Sequence, residues 1–173
     1  MKYLLAFLIF ASTAQAQSFT RKVYILPGSV SCYEGLTVLA NAYHWFRKQG
    51  IRAKFDPYCV SNYSYPVVPY SQQEQLLDKL DTDFRARSST HFMVQPFANN
   101  LFSGVAYIGG RRNSLATAKP SRAWDNMHIL IHELLHTLGA RHDFSGCNVM
   151  GYYRTCSNPS LNKKARREIR SGK

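Results

Sequence analysis

Hydrophobic and polar positions alternate between two spacings along the chain, and the switches mark its elements. The stretch Lys22-Val23-Tyr24-Ile25-Leu26 is mostly apolar and stops at Pro27-Gly28, which predicts a buried strand. Ser31 and Glu34 have capping-box spacing and open a helix with Leu36, Leu39, Ala40, Tyr43 and Phe46 as its apolar stripe and Gly50 as its stop. "IRAKF" at 51–55 predicts a second strand. Strand, helix and strand in this order form a βαβ unit, so the two strands should be parallel neighbours. The loop "DPYCVSNYSYPVVPY" is rich in proline and tyrosine and breaks the pattern. A second capping box, Ser71 with Glu74, is expected to start a helix with Leu77, Leu80 and Phe84 on its stripe and Leu76 off it. "THFMVQPF", "SGVAYIGG" and the short "LATAK" read as further strands. Ser121 is expected to cap a helix from about 122 to 138 that buries Met127, Ile131, Leu134, Leu135 and Leu138, and Gly139 ends it. Pro159 suits the start of a last helix with Leu161, Ala165 and Ile169 on a narrow stripe.

The first residues follow neither spacing. After Lys2 an apolar run from Leu4 to Ala11 leads to Ala14-Gln15-Ala16. The run is shorter than the ~20 residues that span a bilayer, and small residues at 14 and 16 suit a cleavage site. Residues 1–16 are therefore expected to be a signal peptide and residues 17–173 a single domain. The mature protein would be secreted or periplasmic, with no transmembrane segment. An exported chain with four cysteines, Cys32, Cys59, Cys147 and Cys156, is expected to hold two disulfides. A cysteine-ligated zinc is disfavoured because no C-x-x-C pair occurs. Cys32 and Cys59 fall just past the ends of the two parallel strands, on one edge of the sheet, so we expect that pair. The other pair, Cys147 with Cys156, would brace the loop between them. Asn62-Tyr63-Ser64 is a formal glycosylation acceptor, read here as an ordinary loop.

Lys and Arg number 22 against 10 Asp and Glu, a formal net charge of +12. Much of the excess lies in "KKARREIRSGK" at the C-terminus. No nucleic-acid motif accompanies it, so nucleic acid is not expected as a partner, whereas anionic surfaces and acidic proteins are compatible.

The chemistry concentrates in "HELLHTLGARHD", residues 132–143. His132 and His136 are four apart, which puts both imidazoles on one face of a helix, one turn apart. Glu133 is beside the first, placed to meet a water on the metal without ligating it. Gly139 lets the chain leave the helix and turn back, which delivers His142 as a third ligand. Three neutral nitrogen donors with an open position are the donor set of a catalytic zinc. With 10 glycines and 6 histidines in 173 residues, both extra positions would arise by composition roughly one time in 500.

These residues resemble the extended zinc motif H-E-x-x-H-x-x-G-x-x-H of the metzincin metalloendopeptidases. "NVMGYY" supplies Met150 where that family has a methionine turn beneath the metal. Tyr152 is similar in position to the tyrosine of the astacin-like and serralysin-like branches, which acts on the transition state. Asp143 and "GVAYIGG" resemble the reprolysin-type branch instead, and Leu135 stands where many relatives have glycine. The resemblance implies an α/β (α+β) metzincin-like zincin fold: a twisted mixed sheet, an active-site helix and a small C-terminal subdomain ending in a helix. It further implies one Zn2+ per chain held by His132, His136 and His142, Glu133 as general base and Tyr152 as a second catalytic group. Protein or peptide substrates would lie along Val105, Ala106 and Tyr107, and Arg154 would stand near the pocket for the residue after the scissile bond. The reading from another class is a secreted, non-enzymatic, zinc-stabilised module that binds an anionic partner; an intact Glu133 argues against it, because a structural zinc needs no base.

Overall fold

The computed structural model describes residues 17–87, 89–98, 104–109, 113–151 and 159–171. The expected signal peptide lies outside these residues. The βαβ unit forms as expected: β1 (Ser18–Ile25) and β2 (Arg52–Cys59) are parallel, with Ser18 opposite Arg52 and Ile25 opposite Cys59. α1 (Cys32–Lys48) joins them. Its first residue is bonded to the last residue of β2 through the disulfide Cys32–Cys59, with Cα atoms 5.5 Å apart. β3 (Thr90–Val94) is parallel to β1 on its other side and β5 (Ser114–Thr117) is parallel to β3. The short β4 (Gly104–Val105) closes the edge antiparallel to β5, giving the order β2-β1-β3-β5-β4.

Strand side chains alternate between the two faces of the sheet, and two cores result. Val23, Ile25 and Met93 face α1, the helix α3 (Ala123–Thr137) and the helix α4 (Lys163–Ser171). Tyr24, Leu26, Phe92, Val94 and Leu115 face the helix α2 (Gln73–Asp83) on the other side. Among the described residues no helix is long and apolar enough to cross a membrane.

Several helix details differ from the expectation. The Ser31–Glu34 capping box is present, yet α1 buries Gly35, Val38, Leu39, Ala42, Trp45 and Phe46, while Leu36, Ala40 and Tyr43 are exposed. The helix turns Gly35 inward: a Cβ there would stand 2.6 Å from Ile25 Cδ1, so the missing side chain permits close approach to β1. Ser71 does not cap α2; it lies in a 3-10 turn, Tyr70–Gln72, and Leu76 is buried with Leu77 and Leu80. Ser121 does not cap α3 either. Its φ is 60°, and its N–H donates across to Glu34 Oε1 at 3.2 Å. α4 begins after Pro159 rather than at it, because Asn162 Oδ1 caps the Ala165 N–H at 2.8 Å and the Pro159 carbonyl accepts Trp45 Nε1–H at 3.2 Å.

One buried polar group yields a prediction. His91 on β3 is fully buried, with Nδ1 at 2.8 Å from Ser114 Oγ and Nε2 without a partner among the described residues. Burial, and secondarily the charge of Arg21, pulls it down to about 3. An unfolded histidine takes up a proton near pH 6.5, and the folded one does not until much lower pH. Stability is therefore lost as pH falls from about 6.5 towards 3, by roughly 1.4 kcal/mol per pH unit for this one group. His91→Gln should flatten the dependence of urea-unfolding free energy between pH 6 and 4 by close to one proton; slopes equal in both proteins would contradict this account.

Candidate metal centre

α3 places His132 and His136 one turn apart, and the helix ends at Thr137. Gly139 then takes φ 102°, as its residue type led us to expect. The Ala140 N–H closes back on the Leu135 carbonyl at 3.0 Å, so the chain leaves the helix sharply and returns with His142. The Nε2 atoms of His132, His136 and His142 are each 3.1 Å from the other two. His132 Nδ1 is 2.8 Å from the Val149 carbonyl and His136 Nδ1 is 2.7 Å from that of Ala140. A carbonyl only accepts, so each Nδ1 carries its proton and each Nε2 presents a lone pair. Lone pairs converging at 3.1 Å repel unless a cation lies between them. The spacing is close to the ~3.3 Å expected of two nitrogens on one tetrahedral ion at 2.0–2.1 Å. The donor set therefore fits zinc. Burial also favours the neutral, ligating form: it takes His132 down to about 4, helped by the neighbouring His136, and it lowers His136 and His142 as well.

Glu133 is buried next to this triangle, and burial alone lifts its carboxyl to about 8. A dication nearby would counter that shift. Gly104 of β4 lies directly on the carboxyl: a Cβ there would stand 2.6 Å from Glu133 Cγ and 2.7 Å from Oε1. The Gly109 N–H donates to the His136 carbonyl at 3.1 Å. Segment 104–109 is thus held against α3 at both Glu133 and His136. Nothing in the spacing of the zinc motif points to Gly104; in the sequence it reads only as the glycine bounding a strand.

Val105, Ala106 and Tyr107 are half-buried. Val105 ends β4, the edge of the sheet, and Ala106 and Tyr107 follow without strand pairing. Val105 and Tyr107 pack against the core on the α2 side. Met150 is fully buried in the other core. Its turn is tied to the site on two sides, since the Met150 carbonyl accepts the Asp143 N–H at 3.1 Å and Val149 holds His132. Asn148 fixes the turn from within: its Oδ1 accepts the Met150 N–H at 2.9 Å and its Nδ2 donates to the Asp143 carbonyl at 3.0 Å. The Asp143 carboxylate accepts from Ser145 Oγ at 2.6 Å, Ser145 N–H at 2.9 Å and Asn162 Nδ2 at 2.6 Å, which holds it near 2. This polar staple between the His142 loop, the methionine turn and α4 was not visible in the sequence, where Asp143 stands out only by its place after the third histidine and Asn162 not at all. Cys147 is disulfide-bonded. Its expected pairing with Cys156, and the positions of Tyr152 and Arg154, lie outside the described residues.

The fold is that of the zincin-like metalloproteases. Across 95% of this chain it is similar to archaemetzincin from Methanopyrus kandleri, with a TM-score of 0.67, 13% identity and 98% of that chain covered. Across 94% it is similar to metalloproteinase-II from Bacteroides fragilis, again with a TM-score of 0.67 and 13% identity. The chain spans only 55% of the Bacteroides protein's length. No family model and no curated protein matches the sequence.

Proposed function

We propose that the protein is an exported zinc endopeptidase of the metzincin type, with residues 1–16 as its signal peptide and residues 17–173 as one catalytic domain. The observation that carries this reading is the convergence of three imidazole Nε2 atoms at 3.1 Å, two of them fixed as lone-pair donors by their Nδ1–carbonyl bonds, beside a buried glutamate. His132, His136 and His142 would hold one zinc per chain. Zinc, when bound, supplies Lewis acidity that makes water a nucleophile at neutral pH and polarises a carbonyl.

The chain's own residues do the rest. Glu133 accepts a proton from the attacking water and delivers it to the departing amine, which matches a carboxyl that burial keeps within reach of neutral pH. Tyr152 donates a hydrogen bond to the oxygen that gains charge in the transition state. β4, at the sheet edge, pairs with an extended substrate through its backbone. Val105 and Tyr107 suit that role because their side chains are spent on the core, leaving main-chain groups to supply affinity with little sequence selectivity. Arg154 would stand near the pocket for the residue after the scissile bond and would favour acidic side chains there. The likeness in fold to an archaemetzincin and to a metalloproteinase-II supports this reading.

The test is incubation of the zinc-loaded, disulfide-bonded protein with a broad peptide library. New α-amino termini should appear, and a chelator should stop their formation. Intact peptides throughout would favour a zinc-stabilised binding module.

The contact between Gly104 and Glu133 adds a second prediction. Gly104→Ala must push the carboxyl aside or lift β4 away, and displacements near 1 Å cost up to ~10²-fold in rate. We expect turnover to fall by about 10-fold to 100-fold with zinc content unchanged. Wild-type turnover in this variant, measured alongside metal analysis, would show that Glu133 tolerates displacement.

A further inference from the structure

α4 is fastened beside the metal centre, and its outward face is strongly basic. Arg166 anchors it to the end of α1 by donating to the Gln49 carbonyl at 2.7 Å and to Gln49 Oε1 at 2.5 Å. Asn162, at its N-terminus, donates to Asp143, the neighbour of His142. Glu168 Oε2 accepts the Arg141 N–H at 2.9 Å on the same loop. Leu161, Ala165 and Ile169 are buried in the core that contains Met150. What remains outward is Lys163, Lys164 and Arg167, all exposed, with exposed Arg141 on the loop just before His142.

None of these four side chains has a hydrogen bond or ion pair among the described residues; the ion pairs present there, Lys79–Asp83 and Arg122–Asp125, lie elsewhere. The two nearby carboxylates, Asp143 and Glu168, are engaged with Ser145, Asn162 and the Arg141 backbone. Lys163 and Lys164 are three or four residues from Arg167, where like charges on a helix repel. They also occupy the first turn, where the helix dipole disfavours cations. The helix N-terminus itself is closed by the Asn162 cap, so any anion would meet side chains rather than free N–H groups. The fold draws little stability from this arrangement, the pull of Lys164 on the Asp143 carboxylate aside. An external polyanion would relieve it.

We propose that Arg141, Lys163, Lys164 and Arg167 form an exosite for an acidic segment of the polypeptide substrate, contiguous with the His132–His136–His142 centre. The proposal rests on the peptidase reading. The patch adjoins the loop carrying His142, so a chain lying in the cleft reaches it within a few residues of extended backbone. A lipid surface fits less well, because none of the exposed large apolar side chains belongs to α4, and Phe144 on the adjoining loop is stacked on His142. Single-stranded nucleic acid would find no series of stacking aromatics on α4 itself.

The test uses zinc-loaded Glu133→Gln protein and a fluorescent neutral peptide, with and without an appended run of six glutamates, read by anisotropy. The extension should tighten binding at least about tenfold at low salt, and rising ionic strength should erase the gain. Lys163→Glu/Lys164→Glu/Arg167→Glu should abolish the gain, and the corresponding triple glutamine variant should reduce it, with circular dichroism confirming that both are folded. In the otherwise wild-type enzyme, kcat/KM for the neutral peptide should not change on making the triple variant. Equal affinity for both peptides, or a gain that survives charge reversal, would overturn the exosite, as would binding only to phosphatidylglycerol vesicles or an oligonucleotide. Acidic-peptide binding at the patch with no cleavage of any peptide would keep the anionic site and end the peptidase reading. Cleavage without advantage from the extension would do the reverse.

Discussion

Glu133→Gln is expected to abolish most peptide turnover, by at least the ~10²-fold to 10⁴-fold typical of losing a general base, while zinc content stays at the wild-type level. The amide has the size of the carboxyl and keeps an accepting oxygen, but it cannot take a proton at neutral pH. All three imidazoles remain, together with the Val149 and Ala140 carbonyls that orient two of them. Stability has a definite sign too. In the metal-free protein Glu133 is raised to about 8 by burial, so the folded state holds a proton that the unfolded state releases near its ordinary value. Stability is then lost as pH rises from about 4.5 to 8. A glutamine never ionises and avoids that loss, so the apo variant should melt at or above the wild-type temperature at pH 7. Turnover within tenfold of wild type in a zinc-loaded Glu133→Gln sample would remove Glu133 from the chemistry. Tyr152→Phe should cost less and mainly in kcat, since its hydroxyl acts on the transition state.

His136→Ala should sharply weaken metal binding. Two donors would remain of three, and the Nδ1 bond to the Ala140 carbonyl, 2.7 Å long, would be lost with the third. Removing an outer hydrogen bond to a ligand typically costs 10-fold to 100-fold in metal affinity, so removing the ligand should cost more than about 100-fold. His132→Ala and His142→Ala should behave similarly. Competition against a chromophoric chelator would measure this, and an unchanged zinc affinity in any of the three variants would exclude that histidine as a ligand.

The zinc motif was legible because it is local: the four-residue spacing on a helix, the glycine and the third histidine are all set by one continuous stretch. The βαβ unit and the Cys32–Cys59 bridge were legible for a related reason, since strand ends joined by a helix fall on one edge of the sheet. The facing of α1 was not. Leu36 and Tyr43 look like core in a periodicity count, but contact with β1 is decided by the absent side chain of Gly35, which only the packed neighbour Ile25 reveals. Ser71 and Ser121 have the right type for caps, yet a 3-10 turn and a left-handed φ override the local preference. Gly104 and the Asp143–Asn162 staple join residues far apart in the chain, so no pattern along it could announce them.

One zinc on the three histidines is expected to make this chain a peptidase. Apo protein titrated with zinc, with peptide cleavage and bound metal followed in the same samples, tests it most directly. The account predicts no cleavage in the apo protein and a rise in rate that saturates at one zinc per chain. Full occupancy of the histidine site with no cleavage across a broad library, or cleavage that persists in metal-free protein, would contradict it.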